Sequence, residues 1–355
     1  MAVLPVTDRD TVYKSIRFER PDYIPMSFHI NGACWHRYEP KALIDLMADH
    51  PLLFPDFKAT DSPKSDHYGL NHQKGRDYTD AWKCVWRTSE NGITGTVVKH
   101  PLESYDQLDS FHMPDPTQTD GIGPVDWESI RTRANNTRDQ GGLLQVGLTH
   151  GHTFLRLLYI RGYENMLFDM ADNNPGLSSL IEMVEAFNRQ FIAQWIDLAP
   201  DIMGFPEDLG MQSGPMLSPG QFRAFIKPVY QRLMEPVRER GIAVHMHSDG
   251  DIRSLIDDII AGGVEVINLQ DLVNGIDWIK KKLAGRICID LDIDRQQITP
   301  YGTPRQIDEL IRTEVSQLGS REGGLMMVYG LYPGVPLENV RAVMDAMVRY
   351  ASFYR

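Results

Sequence analysis

Cysteine is scarce in this chain: 355 residues hold only Cys34, Cys84 and Cys288. Three widely spaced thiols cannot form a disulfide framework, and without a Cys-x-x-Cys pair the redox and zinc-ribbon motifs are missing too. Positive charge is short as well, with 36 Lys and Arg against 48 Asp and Glu, a net −12, and no basic cluster. That balance disfavours generic binding to nucleic acid or to an anionic membrane. No apolar run approaches the roughly 18 residues of a membrane span. The start, Met1-Ala-Val-Leu-Pro, has no basic segment followed by an apolar core, so neither a leader nor an anchor is expected and the cytoplasm is the expected compartment. The phosphate-cradling Gly-x-x-x-x-Gly-Lys-Ser/Thr, the dinucleotide Gly-x-Gly-x-x-Gly after the first strand and the Gly-x-Ser-x-Gly nucleophile elbow are all absent.

What the sequence does contain is alternation. With 42% hydrophobic and 24% charged residues, short apolar or β-branched runs are followed by longer segments of helical period, the pattern of strand-helix units around a parallel sheet. The runs predict eight strands, at 23–29, 52–58, 143–149, 201–206, 242–247, 264–269, 286–290 and 325–329. Helices are predicted at 40–49, 154–170, 176–198, 219–240, 252–262, 275–284, 304–318 and 336–353. Several open on proline, whose missing N–H costs nothing in a first turn, while Gly241 and Gly285 stand where helices should stop. The expected fold is therefore α/β, an eight-stranded (β/α)8 TIM-like barrel in one domain, 1–355. Between the second and third strands, 61–140 breaks the pattern with turn formers, the run Trp82-Lys-Cys-Val-Trp86 and a hairpin signal at Asn91-Gly92. It reads as an insertion over the barrel mouth, or as a surface excursion without a role there.

In such a barrel the chemistry sits where strands end, and here those ends are polar. They supply His29 and Asn31, His150 and His152, Glu207 and Asp208, His245, His247 and Asp249, Gln270, Asp290, then Tyr329 and Tyr332. His245 and His247 are two apart on a strand and share a face, so they suit a divalent metal or an acid-base pair, unless one is a packed core histidine. Adjacent Glu207 and Asp208 point to opposite sides if the strand persists, so only one enters the site; Gln212 follows on the same connection. His152 and Arg156 share a helix face and suit an anion, or Arg156 pairs with a neighbouring helix. Asp290 is the best pocket candidate of Asp290, Asp292 and Asp294, the other two reading as helix caps or loop residues. The cysteines read as small core residues rather than nucleophiles.

Several segments in order resemble the uroporphyrinogen decarboxylase superfamily: Arg17-Phe-Glu-Arg-Pro-Asp-Tyr-Ile-Pro25, Asp80-Ala-Trp-Lys-Cys-Val-Trp86 with Gly95, Arg161-Gly-Tyr-Glu-Asn165, Glu207-Asp-Leu-Gly-Met-Gln212, Leu217-Ser-Pro-Gly-Gln221, His245-Met-His-Ser-Asp-Gly250 and Pro336-Leu-Glu-Asn339. The resemblance implies the barrel fold and either porphyrinogen decarboxylation or methyl exchange with a corrinoid protein. The decarboxylases hold their substrate's carboxylates with an arginine-rich segment after the first strand; here Met26-Ser-Phe-His-Ile-Asn-Gly-Ala-Cys-Trp35 has no arginine. The methyltransferase branch builds zinc on His-x-Cys and a later Cys, for which this chain has His245, His247 and Tyr329. O-demethylating relatives use carboxylate and histidine, which implies zinc on Glu207, His245 and His247, with catalytic roles for these three and Asp249. His29, Trp35, His150, His152, Arg156, Asp208, Gln212, Gln270, Asp290, Tyr329 and Tyr332 are then the expected substrate-binding residues. The reading is methyl transfer between a small substrate, an aryl methyl ether among them, and a corrinoid (cobalamin) carried by a partner protein, with homodimerisation expected. The alternatives are a decarboxylase of a small acid or porphyrinogen, and a non-catalytic ligand- or corrinoid-binding module.

Overall fold

The computed structural model describes residues 8–58 and 68–355. Seven strands in it pair in parallel: β1 (Met26–Ile30), β2 (Gln145–Gly147), β3 (Ile202–Pro206), β4 (Ala243–Ser248), β5 (Val266–Gln270), β6 (Cys288–Asp292) and β7 (Leu325–Leu331). The chain divides into two compact units, one of Met1–Tyr68, Glu90–Ile93 and Val266–Arg355, the other of Gly69–Ser89 and Thr94–Glu265. In the first the order is β1-β7-β6-β5; in the second it is β2-β3-β4. Helices follow the strands as expected of an α/β chain, and the strands are almost continuously apolar because parallel strands are covered on both faces. Met203, Phe205, Val244, Met246, Ile267, Leu269, Ile289 and Leu291 are all fully buried.

The second expected strand, 52–58, is not formed. The Leu53 and Phe54 N–H groups donate back to His50 and that of Phe57 to Phe54, so the backbone satisfies itself in turns. Pro51 and Pro55 withhold the donors a sheet ladder needs. Of the segment 61–140, residues 61–67 lie outside the described residues. The rest carries a small antiparallel sheet, Tyr78–Thr79, Val85–Arg87 and Thr96–Lys99, and the helix Trp127–Asp139. The second and third of these strands are the two arms of the hairpin expected around Asn91-Gly92.

Helix starts were legible. Pro40, Pro175, Pro219 and Pro304 each open a helix, and Ser218 with Gln221 and Thr303 with Gln306 form capping boxes. Two long helices are broken. Gly162, at φ +85, divides 154–170 into Phe154–Arg161 and Tyr163–Asp172. A π-helical turn, Phe222–Ile226, interrupts 219–240 just before Pro228, which has no N–H to continue the ladder. No helix among the described residues is long and apolar enough to cross a membrane.

The first unit also buries an acid the apolar pattern did not announce. Glu314, on the helix Pro304–Leu318, is fully buried, and no cation pairs with it among the described residues. Burial and then the neighbouring Asp271 carboxylate push its carboxyl well above the ordinary value of 4.5, so it is held protonated. The folded state therefore binds a proton that the unfolded chain releases, and this group's contribution to stability falls as pH rises from 4.5 toward the raised folded value. Glu314→Gln keeps the shape without the titration. Its melting temperature is expected to exceed that of wild type at pH 8, with the gap closing toward pH 4.5, when thermal unfolding is followed across that range.

Candidate active site

The second unit brings its polar strand ends together by pressing two loops backbone to backbone. A Cβ on Gly250 would lie 2.2 Å from the carbonyl carbon of Gly210, and one on Gly210 would lie 2.6 Å from the Asp251 nitrogen. Gly250 also has φ +81, which an L side chain rarely adopts. The Asp251 N–H then donates to the Met211 carbonyl at 2.7 Å, and the Leu209 N–H to Ser248 Oγ at 2.9 Å. This is the structural content of Glu207-Asp-Leu-Gly210 and His247-Ser-Asp-Gly250: each motif supplies a glycine so that the other can approach.

The approach aims one carboxylate at two imidazoles. Asp208 Oδ1 accepts the Asp249 N–H at 3.0 Å and lies 3.3 Å from His150 Nε2 and 3.5 Å from His247 Nε2. The His150 and His247 ring centroids are 5.9 Å apart, and one donor atom from each of His150, Asp208 and His247 falls within 4.8 Å of the others. Burial alone would raise the Asp208 carboxyl; hydrogen bonds from His150 and His247, with their charge, hold it far below the ordinary carboxylate range instead. Asp249 Oδ1 is 3.8 Å from His247 Nε2, at the edge of the group.

Glu207 is turned the other way. Fully buried, it accepts the Thr153 N–H at 2.8 Å and the Leu155 N–H at 3.0 Å, at the start of the helix Phe154–Arg161, and also the Tyr230 hydroxyl. Burial pushes it up to about 7 against the pull of these donors. The expected ligand set of Glu207, His245 and His247 is therefore not assembled, because the Glu207 oxygens are spent on that helix start and on Tyr230. Adjacent residues on an extended backbone do point apart, and Asp208 is the one that meets the histidines. His245 lies half-buried on the same face of β4 as His247.

The other expected site residues of this unit are scattered. His152 is buried, with Nδ1 at 2.7 Å from Thr153 Oγ1, and burial drives its pKa down to about 3, so it is neutral. Arg156 is buried against Asp80 at 3.2 Å, and Asp80 also accepts the Trp86 indole N–H and the Cys84 N–H. Its charge is thereby spent inside the unit. Asp80 and Arg156 stand 76 positions apart in the chain, and no local signal links the two. Gln212 is exposed in the turn between Gly210–Met211 and Gly214–Pro215.

In the first unit, His29 is exposed at the end of β1, Trp35 and Asp290 are half-buried, and Gln270 is buried. Tyr329 is buried with its hydroxyl donating to Thr299 Oγ1 at 3.1 Å, while Tyr332 is exposed. Asp294 proves to be a cap, accepting N–H groups from Gln296 through Thr299.

The donor set decides which ion the site in the second unit fits. Cys34, Cys84 and Cys288 are all buried, and burial pushes each thiol upward, Cys34 to about 12. No thiolate joins the group among the described residues. Two imidazoles and one carboxylate remain, an N/O set that would suit a divalent ion of zinc's kind.

Comparison with known proteins gives the family. The model for uroporphyrinogen decarboxylase (URO-D) matches residues 88–350, about three quarters of the chain. A uroporphyrinogen decarboxylase from Pseudoalteromonas atlantica is 22% identical over 353 residues, covering 96% of this chain and 89% of that one. Another from Thermus thermophilus is 28% identical over 142 residues, and the match spans only 39% of that relative's length and 38% of this chain. Among solved structures, a methyltransferase from Methanosarcina mazei superposes with a TM-score of 0.67 at 14% identity, covering 98% of this chain and 99% of that one, which shows a shared fold. By the extent of the family match and the order of its motifs, the chain belongs to the uroporphyrinogen decarboxylase family.

Proposed function

We propose that this chain is a methyltransferase whose centre is His150, Asp208 and His247, moving a methyl group between a small substrate, an aryl methyl ether among them, and the cobalt of a separate corrinoid protein. The observation that carries the reading is the convergence of these three donors at three successive strand ends of one unit. The likeness to a methyltransferase supports it. So does the stretch from Met26 to His36, which offers no arginine before Arg37 to a polyanionic tetrapyrrole in a chain of net charge −12.

The chain's own groups perform definable tasks. Asp208, kept ionised, orients His150 and His247 so that both Nε2 atoms face one point, and the Asp249 N–H fixes the carboxylate. Glu207 and Tyr230 anchor the loop from behind. When bound there, a divalent ion supplies a Lewis acid for the departing oxygen of the ether. His150, Asp208 and His247 would hold that ion, and the corrinoid of the partner protein would supply the acceptor for the methyl group.

Decarboxylation is the second reading, favoured by the family match and the names of the curated relatives. It uses the same imidazoles as proton donors and releases carbon dioxide.

Two measurements separate these. Metal analysis of the purified protein is expected to find about one divalent ion per chain, lost in His150→Ala/His247→Ala; wild-type protein free of metal would contradict the proposed centre. In an assay following cobalt methylation by its absorbance, wild type is expected to act on aryl methyl ethers. His247→Ala should then lose activity by at least about 100-fold, since even residues behind metal ligands cost 10–100-fold. Carbon dioxide release from carboxylated substrates, without cobalt methylation, would select the decarboxylase.

A further inference from the structure

The second unit carries a cavity that the proposed centre does not use. About 340 Å³ in volume, within the range of small-molecule sites, it lies at the carboxyl end of β2, with Asp120, Asp126, Ile130, Arg133, Leu148 and Trp195 among its lining residues. Its walls are fastened from behind. The Asp120 N–H donates to the Gly123 carbonyl and the Gly121 N–H to Thr119 Oγ1, each at 3.1 Å, so the loop 119–123 closes on itself. The Thr149 hydroxyl donates to the Asp120 carbonyl at 2.8 Å, which ties that loop to the strand end. A second wall is the helix Trp127–Asp139, capped by Asp126, whose carboxylate accepts the Ser129 N–H at 3.0 Å and the Ser129 hydroxyl at 2.8 Å. Trp127 is buried, its ring 5.1 Å from those of Phe191 and Trp195 on the helix Pro175–Ile196. A space framed by fastened elements needs little ordering when a ligand enters.

Both signs of charge line it. Asp120 Oδ1 accepts the Ile122 and Gly123 N–H groups, each at 2.8 Å, while Oδ2 makes no hydrogen bond among the described residues. Arg133 is exposed, one turn past Ile130 on the same helix face. Its charge acts on Asp126, but among the described residues its guanidinium makes neither a hydrogen bond nor an ion pair. Its fork of N–H donors, the shape that takes a carboxylate bidentately, is therefore unused. The rest of the lining is apolar, and it includes the half-buried indole of Trp195. A simple carboxylate would meet Asp120 and Asp126, and a simple amine would leave Arg133 unanswered. A molecule carrying both charges on an apolar body answers all three, and the indole favours an aromatic body.

We propose that this cavity binds an aromatic amino acid as its zwitterion, with the carboxylate on Arg133, the ammonium on Asp120 and Asp126 and the ring against Trp195. The site uses none of the groups of the proposed centre and is independent of metal binding and of methyl transfer.

Isothermal titration of the purified full chain with L-phenylalanine, 3-phenylpropionate, phenethylamine and L-alanine tests it. One phenylalanine should bind per chain, and the other three, which lack the ammonium, the carboxylate and the ring in turn, should each bind at least about tenfold more weakly. Arg133→Gln, at an exposed position, should weaken phenylalanine by about fivefold without weakening phenethylamine. Asp126→Asn, which keeps a capping side chain, should weaken phenylalanine by about fivefold without weakening 3-phenylpropionate. A loss that extends to every ligand would mark these residues as structural and overturn the assignment. Chelator-treated protein should bind phenylalanine unchanged, so failure of the metal-centred reading does not take this one with it. No phenylalanine binding up to about 10 mM, or equal binding of any of the three truncated ligands, would overturn the proposal. So would binding that survives both substitutions.

Discussion

The arrangement of the second unit depends on the contact between Gly210 and Gly250. Any side chain at either position would enter the opposing backbone, and the two loops would separate. Asp208 would then lose the Asp249 N–H, and its carboxylate would no longer stand between His150 and His247. A backbone contact with no chemistry of its own thus sets the one polar convergence that has chemistry to offer. Glu207 completes the device from the buried side, tying the same loop to the start of the helix Phe154–Arg161 and to Tyr230.

Two neighbouring carboxyls consequently live under opposite rules. Glu207 is surrounded by protein and is pushed up to about 7, while Asp208, two imidazoles beside it, is held down as an anion. Each state follows from environment rather than residue type. In the first unit Glu314 is likewise pushed up, by burial and then by the neighbouring Asp271 carboxylate.

Much of this was legible in the sequence because the relevant signals are local. Proline at helix starts, capping boxes and apolar runs located seven of the eight expected strands to within a few residues, and the two-residue spacing put His245 and His247 on one face. The polar strand ends also pointed to His150, Asp208 and His247. What could not be read was partnership across distance. Nothing near Arg156 announces that Asp80 takes its charge, and nothing near Glu207 announces Tyr230, so Glu207 was expected among the histidines, where Asp208 stands. The 52–58 run failed for a different reason: its apolar residues fit a strand, but Pro51 and Pro55 and the local hydrogen bonds fit turns.

The central claim is that the centre is made of nitrogen and oxygen donors from His150, Asp208 and His247, without sulfur. X-ray absorption on zinc-loaded protein tests it most directly, because Zn–N and Zn–O distances of about 2.0–2.1 Å are well separated from Zn–S at about 2.3 Å. The account predicts a first shell of N/O scatterers only, including histidine imidazole, that disappears in Asp208→Ala/His247→Ala. A sulfur shell, or an unchanged spectrum in that variant, would contradict it.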